Sequence, residues 1–332
     1  MDRAKLEIIV THYNESWAVC SKFFKMLDVQ RGMAAGSEVR VTIVQDGDDG
    51  KLDTAKLMKM YPFITSVIEI PHKGVSAARN AGIDSADAEW VMFCDCDDML
   101  YSCDSLRRIL DGIEAEDGRA DLIRGPFLTE IRTKSGEWIT TKNEKDWVFI
   151  HGKIWRLEWL RKNGIRFDER LDYSEDSLFC ETAELAIDPK RIGKLTAPVY
   201  MWCLRGGSCT SDESRLARNR EHLAWHRCYL PGICRERGRI EEARTTALRG
   251  IFDSYHEYTG GTIGDVERMK LEEIIAKGLV IPWLEEAEKA DENDQAILWK
   301  VSKESAMAKQ QWNGKTIPFG DWVENLKARY GE

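Results

Sequence analysis

The sequence predicts an α/β fold over roughly its first two thirds, followed by a mainly helical region. Three observations support this prediction. Short apolar runs alternate with amphipathic stretches over the first hundred residues, polar residues follow each apolar run, and the pattern beyond residue 212 is helical almost throughout. Strands that alternate with helices form parallel βαβ units, and such sheets bind ligands beyond the carboxyl ends of their strands.

The first hundred residues contain four strand patterns separated by three helix patterns. Apolar and β-branched runs predict the strands, and apolar residues at helical spacing predict the helices. In chain order the predicted elements are a strand at 6–11, a helix at 17–30, a strand at 39–45, a helix at 54–60, a strand at 66–70, a helix at 75–85 and a strand at 90–94.

The next part of the chain mixes strands, turns and helices, and long charged amphipathic stretches come after it. Strands are predicted at 121–132, 138–141 and 199–204, and helices at 155–162 and 177–186. The change of pattern predicts two domains, residues 1–212 and residues 213–332, of which the second is helical.

The composition bounds the kind of partner and the compartment. The 332 residues carry a net charge of -9, which argues against a broad polyanion-binding surface. No apolar run approaches the ~20 residues that span a bilayer, and the N-terminus lacks the pattern of a secretory leader. Nine cysteines form no CxxC pair, which predicts reduced thiols. We therefore expect a cytoplasmic protein with no transmembrane segment, and peripheral attachment to a membrane stays open.

The sharpest local signal is a group of acids where an apolar strand ends. Asp95, Asp97 and Asp98 follow the apolar residues 91–94 directly. Carboxylates at one strand end repel one another unless a positive charge lies among them. A hard cation such as Mn²⁺ or Mg²⁺ prefers oxygen ligands and can bridge to a diphosphate. The alternative is a capped turn, because Asp is also common where helices begin.

Five other segments accompany this acidic strand end in a fixed order. They are Tyr13-Asn14, residues 45–48 (QDGD), residues 74–80 (GVSAARN), residues 152–156 (GKIWR) and residues 167–176 (FDERLDYSED). The ordered set resembles the family 2 glycosyltransferases with the GT-A fold, over roughly residues 5–212. Two features depart from the family pattern: Gln45 replaces the usual first Asp of a DDGS turn and Asp48 its Ser, and His12 stands where a small or apolar residue is commoner.

The resemblance implies a GT-A nucleotide-sugar-binding domain with a Rossmann-like mixed sheet. It further implies an inverting, metal-dependent enzyme that uses Mn²⁺ or Mg²⁺. Such an enzyme moves one sugar from a nucleotide-diphosphate sugar, with UDP favoured, to an acceptor hydroxyl in glycan or surface-polysaccharide synthesis. Two alternatives stay open: another acceptor, such as a protein or a modified nucleic-acid base, and a non-catalytic protein that binds sugar nucleotides. The sequence names neither the donor sugar nor the acceptor.

The same resemblance assigns roles to individual residues. Asp176 becomes the candidate general base, and Glu175 becomes a neighbour that orients the acceptor or closes the site. The metal would be held by Asp97 and Asp95, with Asp98 in support. The nucleotide sugar would be bound by Tyr13, Glu15, Asp46, Arg79, Asp95, Cys96, Arg205 and Ser208, with Asp46 on the pyrimidine and Arg79 against the base or the diphosphate.

Three assignments have local explanations that compete with the functional ones. Arg205 and Ser208 lie on a glycine-rich turn. A cation and a hydroxyl on such a turn suit a lid over the diphosphate, although an ordinary exposed turn can have the same sequence. His151 precedes Gly152 and is a candidate metal or phosphate ligand, although a lone histidine is more often structural. Asp176 near a helix start could equally be a first-turn acid.

The tryptophans of residues 213–332 recur on amphipathic stretches. They could form the packed core of the helical region, or they could form a surface for the acceptor or for a second copy of the chain. We therefore expect that the helical region contacts the acceptor or mediates a homodimer.

Overall fold

The computed structural model describes residues 3–48, 50–132, 137–144, 148–171, 173–203, 213–259, 263–283 and 319–331. The chain divides into two compact units, Met1–Ser208 and Cys209–Glu332. The first unit contains every strand of the described part of the chain, and the described parts of the second are helical.

The first unit is a mixed α/β domain with two sheets. Its strands are β1 (Ala4–His12), β2 (Val39–Asp46), β3 (Ile64–Ile70), β4 (Ala88–Asp95), β5 (Met99–Leu100), β6 (Leu122–Arg124), β7 (Phe127–Arg132), β8 (Trp138–Asn143), β9 (Lys153–Arg156), β10 (Ile192–Lys194) and β11 (Tyr200–Trp202). The large sheet has the order β10-β6-β9-β4-β1-β2-β3 and the small one has the order β5-β11-β7-β8. In the large sheet β9 runs antiparallel to both neighbours, while β1 pairs in parallel with β2 and β4. The predicted Rossmann-like mixed fold is confirmed.

The helices of the first unit cover both faces of the large sheet. They are α1 (Trp17–Asp28), α2 (Thr54–Met60), α3 (Val75–Ser85), α4 (Ser105–Glu116), α5 (Leu157–Lys162) and α6 (Glu175–Ala186). Successive side chains of a strand point to opposite faces, so Ile8 and Val10 join the core beneath α1, whereas Ile9 joins the core beneath α3 and α6. A Cβ on Gly82 would lie 2.3 Å from Ile9, so glycine at this position lets α3 approach β1 closely.

Several predicted boundaries shift once the elements pack. The predicted strand at 121–132 is two strands, β6 and β7, which belong to different sheets. The predicted helix at 177–186 begins earlier, at Glu175, so that Glu175 and Asp176 both lie in its first turn. The sequence analysis did not predict β5, β9 and β10, which are two to four residues long and carry little periodicity.

The second unit contains α7 (Glu213–Glu236), α8 (Ile240–Thr259), α9 (Asp265–Ile275), a short π-helix (Ala276–Val280) and α10 (Phe319–Tyr330). Arg227 of α7 is buried against α8, where it donates hydrogen bonds to Ser254 and Glu257. Within the described ranges, no helix is both long enough and apolar enough to cross a bilayer.

Candidate active site

The polar ends of three neighbouring strands meet at one edge of the large sheet. Strand β1 lies between β2 and β4, with Thr11 opposite Asp95 and His12 opposite Gln45. The Thr11 hydroxyl donates a 3.0 Å hydrogen bond to Asp95. This sheet order places the first strand end, the turn after β2 and the acidic strand end together, although up to 84 residues separate them in the sequence.

The acidic group consists of Asp95, Asp97 and Asp98, whose nearest carboxylate oxygens lie within 4.8 Å of one another. Asp98 is buried and accepts hydrogen bonds from the Tyr200 hydroxyl and, at 2.8 Å, from the Cys203 N–H. Burial and the two neighbouring carboxylates raise the pKa of Asp98 well above its usual value. Asp95 and Asp97 are only half-buried. The donor set fits a hard divalent cation held by Asp95 and Asp97 and supported from behind by Asp98.

Arg79 is buried in α3 and joins the acidic group to the start of α6. Its guanidinium donates to Asp95 at 3.0 Å and to Glu175 at 2.8 Å, and it lies over the ring of Phe167 at 5.1 Å. Burial opposes ionisation of Asp95, but the Arg79 cation lowers the pKa of Asp95 below its usual value. The sequence placed Arg79 against the base or the diphosphate. In the structure its guanidinium lies between two carboxylates, with 4% of its side chain exposed.

The GVSAARN segment holds the chain that precedes α6. Ser76 donates a 2.9 Å hydrogen bond to the Leu171 carbonyl. The Asn80 amide donates to the Phe167 carbonyl at 2.9 Å and accepts from the Phe167 N–H at 3.0 Å. Three side chains of α3, of which Arg79 is the third, therefore hold Phe167, Leu171 and Glu175. This explains the polar residues of the segment by a structural role beside the site.

Asp176 lies in the first turn of α6, directly after the residue that Arg79 holds. The preceding turn contains Ser174 in a left-handed conformation, with φ of 60°. Burial and the neighbouring Glu175 raise the pKa of Asp176 to about 7. Because a general base works best when its pKa is near the working pH, this carboxyl is suited to accept a proton.

The segments that follow β1 and β3 form an exposed aromatic pair that the sequence did not predict. Tyr13 and His72 stack with ring centroids 4.0 Å apart and an interplanar angle of 8°. The Asp46 carboxylate lies 2.9 Å from His72 Nδ1 and accepts hydrogen bonds from the Lys73 and Gly74 N–H groups. Asp46 therefore organises the loop before α3. The one sequence signal for His72 is its position two residues before Gly74, where the GVSAARN segment begins.

Two predicted ligands lie in other surroundings. His151 is buried among aromatic rings, stacked on Tyr200 at 4.7 Å, and burial lowers its pKa to about 3. The group of three acids within 4.8 Å does not include it. Cys96 is buried, and its sulfur lies 3.5 Å from Cys20 and 3.4 Å from a carboxylate oxygen of Glu15. Arg205 and Ser208 lie outside the described residues.

Two kinds of sequence comparison bear on this domain. Residues 7–157 match the family model described as "Glycosyl transferase family 2". Two curated proteins of Bacillus subtilis (strain 168) are each 24% identical to the chain: the "Uncharacterized glycosyltransferase EpsJ", over 60% of this chain and 65% of that protein, and the "Minor teichoic acid biosynthesis protein GgaA", over 55% of this chain and 45% of that protein. The match thus spans about two thirds of the length of the first relative and less than half of the length of the second.

Solved structures share the fold. A crystal structure of S. aureus TarS 1-349 superposes with a TM-score of 0.57 at 16% identity, covering 90% of this chain and 91% of that one. The structure of the same protein in complex with UDP-GlcNAc superposes with a TM-score of 0.52 at 18% identity. The match covers 98% of this chain and 83% of that one. The mannosyltransferase PcManGT from Pyrobaculum calidifontis, in complex with GDP-Man and Mn²⁺, superposes with a TM-score of 0.50 at 14% identity. The match covers 99% of this chain and 87% of that one.

Proposed function

We propose that this chain, which belongs to glycosyl transferase family 2, transfers one sugar from a nucleotide-diphosphate sugar to an acceptor hydroxyl with inversion at the anomeric carbon. The observation that carries the proposal is the bridge from Asp95 through Arg79 to Glu175. It joins a cluster of carboxylates suited to a metal ion to a helix start that presents a carboxyl with a pKa of about 7. A displacement at an anomeric carbon needs these two functions side by side.

On the donor side, Asp95 and Asp97 would hold Mn²⁺ or Mg²⁺. When bound, such a cation neutralises the charge that develops on a departing nucleoside diphosphate. Asp98 keeps these two acids in place, because it is anchored by the Tyr200 hydroxyl and the Cys203 N–H. Mn²⁺ beside GDP-Man in PcManGT, a protein with the same fold, supports this use of the site.

On the acceptor side, Asp176 would take the proton from the attacking hydroxyl. The first turn of α6 orients the carboxylate, which accepts a 2.8 Å hydrogen bond from the Ser177 N–H. A single displacement requires the hydroxyl to attack from the side opposite the leaving diphosphate. Since Asp95 and Asp97 would mark the leaving side, the base must come from another element, and α6 supplies one.

The nucleotide would lie against Tyr13, Glu15 and the turn that Asp46 organises. UDP is the favoured nucleotide because TarS, which shares the fold, is described in complex with UDP-GlcNAc. A surface polysaccharide is the favoured acceptor class because one relative is a minor teichoic acid biosynthesis protein. We also propose that Arg205 and Ser208 close over the diphosphate, and that the helical unit contacts the acceptor or a second copy.

The decisive experiment presents a panel of UDP-, GDP-, CDP- and dTDP-sugars to the protein with Mn²⁺. Thermal stabilisation identifies the bound nucleotide, and metal-dependent release of the nucleoside diphosphate identifies the donor. We expect one UDP-sugar to stand out in both assays and surface-glycan fragments to accelerate the release. Tight binding without release, even with acceptors present, would identify a non-catalytic binding protein. No stabilisation by any sugar nucleotide would contradict the proposal as a whole.

A further inference from the structure

A second cluster of metal-type ligands lies beneath the acidic strand end. His12 at the end of β1, Cys20 in α1 and Cys96 after β4 each offer one ligand atom, and these atoms all lie within 4.8 Å of one another. The three side chains are 2%, 0% and 1% exposed. The three residues belong to separate parts of the chain and lie up to 84 positions apart in the sequence. Only the tertiary fold therefore brings them together.

The chemistry of this cluster differs from that of the carboxylates above it. Two sulfurs and an imidazole are soft or borderline ligands, which suit Zn²⁺ rather than Mn²⁺ or Mg²⁺. Zn–S bonds of about 2.3 Å at tetrahedral angles place two sulfurs about 3.8 Å apart. The sulfurs of Cys20 and Cys96 are 3.5 Å apart, so only a few tenths of an ångström separate the present arrangement from that geometry.

Glu15 lies beside the cluster through both its side chain and its backbone. A carboxylate oxygen of Glu15 lies 3.4 Å from the Cys96 sulfur. The backbone carbonyl of the same residue lies 2.9 Å from His12 Nε2. Histidines that bind metals are commonly oriented by a hydrogen bond from the other ring nitrogen to a carbonyl or carboxylate, and this carbonyl can provide it.

We propose that His12, Cys20 and Cys96 form a zinc site that is separate from the catalytic cation. Zinc would replace the two thiol protons, which leave to solvent, so that both sulfurs bind as thiolates. The site would tie α1 and the end of β1 to the loop that carries Asp95 and Asp97. It would thereby hold the residue between the two acids in place without taking part in sugar transfer.

Cobalt(II) tests the site in the intact chain, because thiolate ligands give it a near-ultraviolet charge-transfer band that carboxylate ligands do not. The reduced protein should bind about one zinc ion per chain after exposure to Zn²⁺ and desalting, and should show the thiolate band with Co²⁺. Cys20→Ser and Cys96→Ser each leave one thiolate, so each should weaken the band and should weaken zinc binding by more than about 100-fold, beyond the loss typical of outer-shell changes.

Two control variants make the result specific. Cys94→Ala removes a buried thiol of β4, two residues before Cys96, and should keep the band, and Asp97→Asn should keep it while losing affinity for Mn²⁺. Circular dichroism checks that each variant is folded. The proposal is overturned if the wild-type protein, with its thiols shown by titration to be reduced, gives no thiolate band. The proposal is equally overturned if the band is undiminished in both the Cys20→Ser and the Cys96→Ser variant, or if the resting protein contains a Cys20–Cys96 disulfide.

Discussion

Arg79 in α3 donates a 2.8 Å hydrogen bond to Glu175, 96 residues later in the sequence, at the first residue of α6. The other end of the same guanidinium reaches Asp95 at 3.0 Å. The position of α6, and with it the position of Asp176, is therefore set by a cation that also holds the metal-type carboxylates. This connection makes the two halves of the site one unit, and the first prediction tests it.

Removing the Arg79 cation should destabilise the protein strongly. Arg79→Met leaves Asp95 and Glu175 without their shared partner in a poorly solvated place, and breaking such a buried pair typically costs about 3–5 kcal/mol of unfolding free energy. Denaturant titration measures the loss. Arg108→Met is the matched control, because its pair with Asp104 is solvent-exposed and should contribute no more than about 1 kcal/mol. Equal losses for the two variants would contradict a structural role for the bridge.

Asp176→Asn should lower turnover by about 10²–10⁴-fold, because the amide keeps the shape but cannot accept the proton. The apparent donor affinity should hardly change, since the donor lies on the other side of the reacting carbon. Steady-state kinetics with varied donor separates the two effects. Asp168→Asn is the control, because that acid is paired with Arg170 outside the first turn of α6. Near-normal turnover of the Asp176 variant would show that another carboxylate is the general base.

The pH profile of turnover should rise through about pH 7 and then level off. The base acts only when it is ionised, and burial together with Glu175 raises the pKa of Asp176 to about 7. Glu175→Gln removes the neighbouring negative charge, so the rise should move to lower pH. Turnover should fall less than in the Asp176 variant. A rise that stays in place in Glu175→Gln would show that another group titrates.

The same pKa makes a prediction about stability. The folded-state pKa of Asp176 is raised from 3.8 to about 7, so the folded protein binds more protons than the unfolded chain between these values. Stability from this group is therefore present at low pH and is lost as pH rises through about 7. Asp176→Asn should unfold at a higher temperature than the wild type at pH 8 and lose that advantage near pH 4. An advantage that is independent of pH would contradict the assigned pKa.

The acids at the end of β4 should have two different roles: Asp97 binds the metal ion, and Asp98 stabilises the structure around it. Asp97→Asn should raise the Mn²⁺ concentration needed for activity and leave the fold intact, and a chelator should abolish wild-type turnover. Asp98→Ala should instead lower the melting temperature, because it leaves the buried Tyr200 hydroxyl and the Cys203 N–H without the side chain that they contact. Calorimetric Mn²⁺ titration and thermal unfolding measure the two effects. Full activity with excess chelator would exclude a metal requirement.

The alternation of strands and helices, the acidic strand end and the ordered motifs could all be recognised in the sequence. Each depends on residues that are close along the chain, where periodicity and turn chemistry act directly. Strand β4 illustrates this, because an apolar run ending in three acids predicts both the strand and its polar end without knowledge of its neighbours.

Contacts between distant segments were beyond the reach of such patterns. The sequence suggested a ligand-binding role for Arg79, and the structure gives it two carboxylates, because α6 packs against α3. The stacking of His72 on Tyr13 was not predicted for the same reason.

The sequence by itself determined the four long strands of the first hundred residues, where their polar ends lie and which carboxylates are available for chemistry. Only the tertiary structure decided which of those groups meet. The order β4-β1-β2 brings Asp95 to Thr11 and Cys96 to Cys20. Local backbone preferences set the elements, whereas burial of apolar faces sets their order in the sheet, and the latter depends on the whole chain at once.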